Sequence, residues 1–235
     1  MDVELDRQLV IPQLWSAYEK TSEYKQGMTQ AIPAHHKLVE DQERIGLRSI
    51  YQSFVNVLAG THPIRKIIRN RKPADWLREW KGMHGLLFEH ILLMKGMWRH
   101  VDVRFGDPAD EELYNIPKHQ LVSSVIGNLA DQVVGYVAID RPSEDERFKI
   151  LANVHYEFVR VHPFADGNGR IARAITDQLS LYFGFPPAMG GYPRHDPKNR
   201  RAYHAAIRSC VDQPDCTQLA MWIKSYIDKQ LQRLA

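Results

Sequence analysis

The stretch His162-Pro-Phe-Ala-Asp-Gly-Asn-Gly-Arg-Ile-Ala-Arg173 decides how this chain folds and which chemistry it can carry. Within twelve residues it combines an imidazole, a carboxylate, a Gly-Asn-Gly turn and two arginines. Chemistry on a nucleotide phosphate needs these groups, as a base, a metal ligand and donors to phosphate oxygens. Taken singly, each part is more typical of an ordinary turn or surface, so the prediction depends on their combination.

The flanking sequence places this stretch between two helices. Upstream, Ser143 and Glu146 have the spacing of a capping box, and apolar residues follow at helical spacing. Pro163 ends that helix, because proline lacks an N–H and disfavours helical geometry in the residue before it. Downstream, a second apolar stripe begins at Ile171, and Gly184 suits the end of a helix. The pattern therefore predicts a helix–loop–helix.

The Gly167-Asn168-Gly169 turn opens the second predicted helix. The first N–H groups of a helix have no intrahelical partner, and together with the helix dipole they favour an anion. Glycine permits positive φ and lets a phosphate approach the backbone closely. Arg170 and Arg173 follow at i and i+3, on one side of the same helix. The turn is thus a candidate phosphate site.

The stretch resembles the signature of the Fic family, His-x-Phe-x-(Asp/Glu)-Gly-Asn-(Gly/Lys)-Arg-x-x-Arg, at all eight fixed positions. These positions are His162, Phe164, Asp166, Gly167, Asn168, Gly169, Arg170 and Arg173. A looser resemblance extends over residues 45–230, where residues 96–103 look like the start of the family's active-site flap.

The resemblance implies an all-α fold, a Fic-type helical bundle with a short β-hairpin flap beside the active-site loop. We expect a catalytic domain over residues 45–235, preceded by an N-terminal helical extension over residues 1–44. The spacing of apolar residues also predicts helices throughout, apart from a short strand over residues 98–105. Asp196 and Pro197 look like a cap and first position of a helix.

Apolar positions predict four further helices and their buried faces. The first helix carries Ile45, Tyr51, Val55 and Leu58, and the second carries Trp76, Trp80, Leu87, Ile91 and Met94, with a break at Gly82 or Gly85. The third starts near Pro117 and carries Leu121, Val125, Leu129 and Val133. The last carries Leu219, Ile223, Tyr226 and Ile227.

The resemblance also implies that AMP is transferred from ATP to a Tyr, Thr or Ser hydroxyl of a target protein. His162 would deprotonate that hydroxyl as general base, and Asp166 would hold Mg²⁺. Phe164 would anchor the loop, whereas His155 is expected to be structural. The phosphates of ATP would be held by Gly167, Asn168 (backbone and side chain), Gly169, Arg170 and Arg173, and the target would dock on the flap.

An N-terminal segment is similar to a second Fic motif, an inhibitory helix of the form (Ser/Thr)-x-x-x-Glu-(Gly/Asn). The nearest match is Ser22-Glu-Tyr-Lys-Gln26-Gly27, where Gln26 replaces the glutamate that would pair with Arg173. A neutral hydrogen bond is roughly half as strong as a charge-assisted one. Two interpretations of this segment stay open, a degenerate inhibitory helix and an unrelated helix end. In the second case a separate antitoxin-like chain would inhibit the enzyme.

Three alternatives to the adenylyltransferase reading stay open. They are a Fic enzyme that transfers another phosphate-containing group, a catalytically weak nucleotide-binding interaction module, and an enzyme that removes AMP from targets. Gly169 argues against the first, because such members often carry lysine there. His162 argues against the second, whose members typically lose the histidine. Gln26 argues against the third, because an amide is a poor base.

Composition predicts an ordinary folded intracellular domain. The chain has 235 residues, 44% of them hydrophobic, and a net charge of +3, which is too small to indicate nucleic acid. Only Cys210 and Cys216 occur, so neither a disulfide scaffold nor a cysteine zinc site is expected. No apolar run nears the ~20 residues that span a bilayer, and the acidic N-terminus does not resemble a secretory signal. We expect a cytoplasmic protein, with delivery into a host cell and the oligomeric state left open.

Overall fold

The computed structural model describes residues 44–54, 68–89, 92, 94–103, 115–191, 196–212 and 215–234. Six long helices lie in these ranges: α1 (Pro73–Leu87), α2 (His119–Ala138), α3 (Glu144–Val161), α4 (Asn168–Phe183), α5 (Pro197–Asp212) and α6 (Thr217–Leu234). Residues 44–54 are also helical, and Met189–Gly191 form a 3₁₀ turn. The predicted helical bundle is confirmed.

Helix α3 lies at the centre of the bundle. It packs on α4, α6 and α2, while α1 packs on α2 and α4, and α5 packs on α6. The core joins these helices through large side chains: Trp80 of α1 meets Phe158 of α3 edge to face, with ring centroids 5.6 Å apart. Burial of such rings is the main favourable term for the fold. The loop between α3 and α4 is thereby held against α1.

The predicted ends of the two central helices are confirmed. Ser143 Oγ accepts from the Glu146 N–H at 3.3 Å, and the Glu146 carboxylate accepts from the Ser143 N–H at 2.7 Å. Helix α4 begins directly after Gly167 and ends before Gly184, and these glycines have φ of 79° and 86°. Both glycines occupy the left-handed region that other residues rarely adopt.

Two predicted features of α1 are wrong. Gly82 and Gly85 do not break the helix, and it ends at Leu87, short of Met94, which lies in a turn. A mid-helix glycine costs roughly 1 kcal/mol relative to alanine. The buried stripe through Trp76 and Trp80 outweighs that cost.

The predicted buried face of α2 is partly wrong, because Leu121 is 54% exposed while Leu129 and Val133 are buried. The remaining buried positions are Val122, Ile126, Ala130 and Val137. Apolar residues surround much of this helix, so periodicity alone does not select one face. Ile45, predicted as a core position, is also exposed.

Within the described residues, α2 is long and apolar enough to cross a membrane by length and composition, contrary to the expectation from the sequence. One such helix is a weak indication, because core helices of soluble proteins pass the same criterion. Here its buried face packs on α1 and α3.

Cys210 of α5 and Cys216, just before α6, are buried and joined by a disulfide that spans six positions of sequence. Two cysteines alone did not predict this bond. It links neighbouring parts of the chain and is no scaffold for the fold.

Several predictions lie outside the described residues. They concern residues 1–43 of the predicted N-terminal extension (1–44), with Ser22–Gly27, and most of the flap, residues 104–114. The described part of the predicted strand, residues 98–103, has no strand pairing. The ends of the predicted helices at Val55, Leu58 and Ile91 also lie outside.

Candidate active site

His162 lies at the junction between α3 and the loop, in a left-handed conformation with φ 49° and ψ 58°. Its Nδ1 is 3.1 Å from the Val159 carbonyl oxygen. Because a carbonyl oxygen only accepts, Nδ1 carries the ring proton in the neutral imidazole. Nε2 therefore holds the lone pair, and it is the nitrogen that can take a proton.

Burial, together with the positive charge of Arg99, lowers the pKa of His162 to about 4. The imidazole is consequently neutral near pH 7, the protonation state that a base requires. An anionic phosphate nearby would favour the protonated form and raise this pKa.

The backbone of the loop is held by Arg99, which lies in the segment after α1. Its guanidinium Nε donates to the His162 carbonyl at 2.8 Å, and its own N–H donates to the Pro163 carbonyl at 2.8 Å. Two further donors of the same side chain reach the carbonyls of Val101 and Pro117. The sequence placed Arg99 at the start of the flap but gave it no role.

Asp166 lies in the middle of the loop, and its side chain is 19% exposed. Its Oδ1 accepts from the Gly167 N–H at 2.6 Å and from Arg170 Nη2 at 3.1 Å. Among the described residues, no three His, Cys, Asp or Glu side chains cluster as a metal site. A lone carboxylate suits Mg²⁺, which commonly takes one or two carboxylates and completes its shell with phosphate oxygens and water.

The side-chain amide of Asn168 braces the loop from inside. Its Oδ1 accepts from the Phe164 N–H at 2.9 Å, and its Nδ2 donates to the Phe164 carbonyl at 2.8 Å. Asn168 is buried, so this amide contacts the loop interior. Its backbone N–H, at the first position of α4, is the part that suits a phosphate.

Phe164 is fully buried, as predicted for a loop anchor. Its ring stacks on the His84 imidazole, with centroids 3.9 Å apart and planes 13° apart. The indole of Trp98 also contacts it, at 4.8 Å between centroids. The loop is therefore fixed to α1 and to the segment that follows α1.

His84 of α1 is a second residue that sequence reasoning missed. Its Nδ1 accepts from the Gly96 N–H at 2.8 Å, which leaves the proton on Nε2, 3.3 Å from the Asp166 carbonyl oxygen. Burial lowers the pKa of His84 to about 3, so the ring is neutral. A signal was present, because His84 follows Trp80 by four positions on the buried face of α1.

The two motif arginines begin on one side of α4 but contact different surroundings. Arg170 is buried, with its guanidinium carbon 5.2 Å from the centroid of the Phe88 ring. Arg173 is half-buried, and its guanidinium carbon is 6.0 Å from the centroid of the Tyr203 ring of α5. Arg170 is thus tied to the loop through Asp166, whereas Arg173 extends toward α5.

His155 lies away from the loop, in the core between α3, α4 and α5. Thr176 Oγ1 donates to the Ala172 carbonyl, so it accepts from His155 Nδ1 at 2.8 Å. His155 Nε2 then accepts from the Tyr203 hydroxyl at 2.8 Å. Burial lowers the pKa of His155 to about 3. This environment agrees with the structural role expected from the sequence.

Replacing Gly167 with alanine is expected to lower the free energy of unfolding by ~2–5 kcal/mol. The new Cβ would lie 2.6 Å from the Phe88 ring, and φ at this position is 79°. Left-handed backbone costs an L-residue roughly 1–2 kcal/mol, and overpacking typically costs a further 1–3 kcal/mol.

Urea unfolding measures the effect, with Gly169→Ala as the matched control. A Cβ at Gly169 would be 3.6 Å from Arg173 Nη1, an ordinary contact. Equal stability of the two variants would contradict the close approach at Gly167.

Comparison with known proteins identifies similar sequences and structures. Residues 76–180 match the sequence family described as Fic/DOC. The chain is 32% identical over 109 residues to protein adenylyltransferase fic-1 of Caenorhabditis briggsae, covering 46% of this chain and 20% of that protein. It is 30% identical over 80 residues to protein adenylyltransferase Fic of Drosophila mojavensis, covering 34% and 15% respectively. The chain thus matches only a fifth or less of the length of these relatives.

Solved structures share the fold. A fragment of Fic-1 from C. elegans superposes with a TM-score of 0.62 at 19% identity, over 83% of this chain and 51% of that one. A Fic domain-containing signaling protein from Bacteroides thetaiotaomicron gives a TM-score of 0.59 at 15% identity, over 98% and 87%. The chain shares its helical bundle with these solved structures, and residues 76–180, which include the loop between α3 and α4, form a Fic/DOC family domain.

Proposed function

We propose that this chain is a protein adenylyltransferase, which transfers AMP from ATP to a hydroxyl of a target protein. One observation carries the proposal. The neutral imidazole of His162, with its proton held at Nδ1 by Val159, is joined by a short braced loop to the start of α4. A proton acceptor and a phosphate site are thereby built into one loop. The relatives named protein adenylyltransferase support the same activity.

In the proposed reaction, the target hydroxyl gives its proton to His162 Nε2. The hydroxyl oxygen forms a bond to the α-phosphorus of ATP. The bond from that phosphorus to the oxygen bridging the β-phosphate breaks, and pyrophosphate leaves with the bonding electrons. AMP stays on the target, and the proton on His162 then passes to solvent.

The start of α4 would hold the phosphates. The backbone N–H groups of Gly167, Asn168 and Gly169 would donate to the α- and β-phosphates, as helix N-termini do. The Asn168 amide would act indirectly, because it already braces Phe164. Arg170 and Arg173 would neutralise the β- and γ-phosphates, since a guanidinium fork matches phosphate geometry.

Asp166 would hold Mg²⁺ through its carboxylate, and the ion would supply charge neutralisation on the phosphates. Arg170 already contacts Oδ1 of this carboxylate, and the Gly167 N–H donates to the same oxygen. These contacts orient the side chain before any nucleotide binds. His84 holds the carbonyl of the same residue.

The target would dock by strand pairing along the segment between residues 98 and 117, whose central part lies outside the described residues. Main-chain pairing constrains side-chain identity little, so Tyr, Thr and Ser targets are all compatible. Inhibition by Ser22–Gly27 or by a separate antitoxin-like chain stays a prediction.

Incubation of the chain with cell lysate and radiolabelled ATP tests the function. Label from the α-phosphate should be transferred to protein, and label from the γ-phosphate should not. Transfer of γ-label would indicate phosphate transfer instead. Absence of both labels, with ATP binding retained in calorimetry, would indicate a nucleotide-binding module.

Replacing Arg173 with alanine is expected to weaken binding of ATP more than binding of AMP. A γ-phosphate role gives this arginine a partner that AMP lacks, and a hydrogen bond to a charged group is worth ~1.5–3 kcal/mol. The expected loss for ATP is therefore roughly 10- to 100-fold.

Titration calorimetry with both nucleotides measures the difference. Arg78→Ala is the control, because it removes the same charge from an exposed side chain on α1. Equal losses for ATP and AMP in Arg173→Ala would rule out the γ-phosphate role.

A further inference from the structure

Arg99 makes an unusual set of contacts for a side chain outside the motif. Its side chain is completely buried. Its guanidinium donates to three backbone carbonyls, those of His162, Val101 and Pro117, and its own N–H donates to a fourth, that of Pro163. One residue therefore connects three separate stretches of chain.

The contacts with residues 162 and 163 bear on the direction of the imidazole. His162 has a φ of 49°, a conformation that costs a non-glycine residue about 1–3 kcal/mol and persists only where the surroundings enforce it. Arg99 holds the carbonyl of His162 by its side chain and that of Pro163 by its main chain, at 2.8 Å each. These two bonds fix the peptide planes that follow the imidazole.

The other two contacts bear on the segment between residues 101 and 117. Val101 and Pro117 lie at its two ends, and both carbonyls accept from the same guanidinium. A planar guanidinium fixes the directions of its donors relative to one another. The two ends of this segment are therefore set in a defined position relative to His162.

We propose that Arg99 is a positioning residue for the transfer reaction. It holds the imidazole of His162 in a fixed position relative to both ends of the segment that docks the target. The proposal rests on the proposed function of His162. Arg99 acts through the backbone of His162 and Pro163 and has no role in the phosphate site at the start of α4. Its loss should slow transfer without weakening ATP binding.

Lysine is the informative replacement at this position. It keeps the positive charge near Asp102, whose carboxylate is 3.7 Å from Arg99 Nη1. It presents one ammonium in place of a planar fork, so it cannot reach three carbonyls that lie in different directions. The Arg99→Lys variant therefore tests the planar geometry of the guanidinium donors separately from the positive charge.

Arg147 provides a matched control, because it makes the same kind of contacts elsewhere. Its guanidinium donates to the carbonyls of Pro142 and Phe183, at 2.8 Å and 3.3 Å. These contacts join the start of α3 to the end of α4. His162 lies near the other end of each of these helices. Arg147→Lys should lower stability without a specific effect on transfer.

The experiment compares Arg99→Lys, Arg147→Lys and wild type. Initial labelling of protein from α-labelled ATP, ATP affinity by calorimetry, and urea unfolding are measured for each. Arg99→Lys should label protein ~10- to 100-fold more slowly, because misplacement by about 1 Å can cost about 100-fold, while ATP affinity stays within about twofold. Arg147→Lys should label at close to the wild-type rate.

Nitrogen-15 NMR of the His162 ring gives a readout independent of catalysis. Wild type should show one neutral tautomer with the proton on Nδ1, and Arg99→Lys should show an averaged or altered tautomer. If wild type transfers no label, the proposed function fails, while this spectrum still decides the role of Arg99. Unchanged ring signals in a folded Arg99→Lys protein would overturn the proposal. Labelling of protein by Arg99→Lys at the wild-type rate would also overturn it.

A measurement on wild type covers the case in which Arg99→Lys does not fold. The Arg99 Nε–H should exchange slowly with solvent, because it is buried and donates to the His162 carbonyl. Exchange at the rate of an exposed arginine would overturn the proposal without any variant.

Discussion

Replacing His162 with alanine is expected to lower the rate of protein labelling from ATP by ~10²–10⁴-fold, the usual contribution of a general base. The loss follows from the tautomer, because Nε2 is the ring nitrogen with a lone pair when Nδ1 donates to Val159. ATP affinity should change little, since the imidazole is proposed to meet the target hydroxyl and not the nucleotide. Initial labelling rates and calorimetric titration with ATP measure the two effects.

The control for this prediction is His204→Ala, which removes an exposed imidazole from α5. That variant should label protein as wild type does. Near-normal labelling by His162→Ala would show that another group takes the proton. A large loss of ATP affinity in His162→Ala would place the imidazole at the nucleotide instead.

Acidification below about pH 6.5 is expected to lower the stability of the chain steeply, through His84 and His155. Burial lowers the pKa of each to about 3, from an ordinary value of 6.5. Between these values the unfolded chain binds more protons than the folded one, so the free energy of unfolding falls as the pH falls. Each pH unit removes about 1.4 kcal/mol per histidine. At pH 5 the two together would lower stability by about 4 kcal/mol, and His162, whose pKa burial lowers to about 4, would add to that loss.

Urea unfolding between pH 7.5 and pH 5 measures this slope. His155→Gln should reduce the slope by about one proton, because one of the titrating histidines is gone. Ile175→Val is the control, since it truncates a fully buried apolar side chain and should lower stability by roughly 0.5–1.5 kcal/mol at every pH. The same slope in wild type and in His155→Gln would contradict a buried, neutral His155.

Local signals in the sequence were sufficient for the ends of α3 and α4 and for the loop between them. Ser143, Gly167 and Gly184 act within one or two turns, through caps and backbone geometry that each residue type dictates. The location of the motif residues at the junction of α3 and α4 followed from the same signals. Their chemical roles came from the family resemblance and stay predictions.

Contacts between distant parts of the chain could not be read from the sequence. Arg99 meets His162 and Pro163 only after α1 packs beside the loop. The sequence predicts that the Asn168 side chain contacts a phosphate, whereas its amide pairs with the Phe164 backbone in the structure, because an amide suits both a ligand and a backbone. On α2, several faces are apolar, and only the neighbouring helices decide which is buried. Each case depends on tertiary packing, which periodicity does not encode.

The loop also joins helix ends of opposite polarity. Helix α3 ends at Val161 and presents carbonyl oxygens, with about half a negative charge, whereas α4 begins at Asn168 with about half a positive charge. In the proposed reaction, the cation formed when His162 takes a proton would lie at the negative end, beside the Val159 carbonyl. The negative charge on the departing pyrophosphate would form at the positive end. The two helices would thus stabilise both products of charge separation, before any side chain moves.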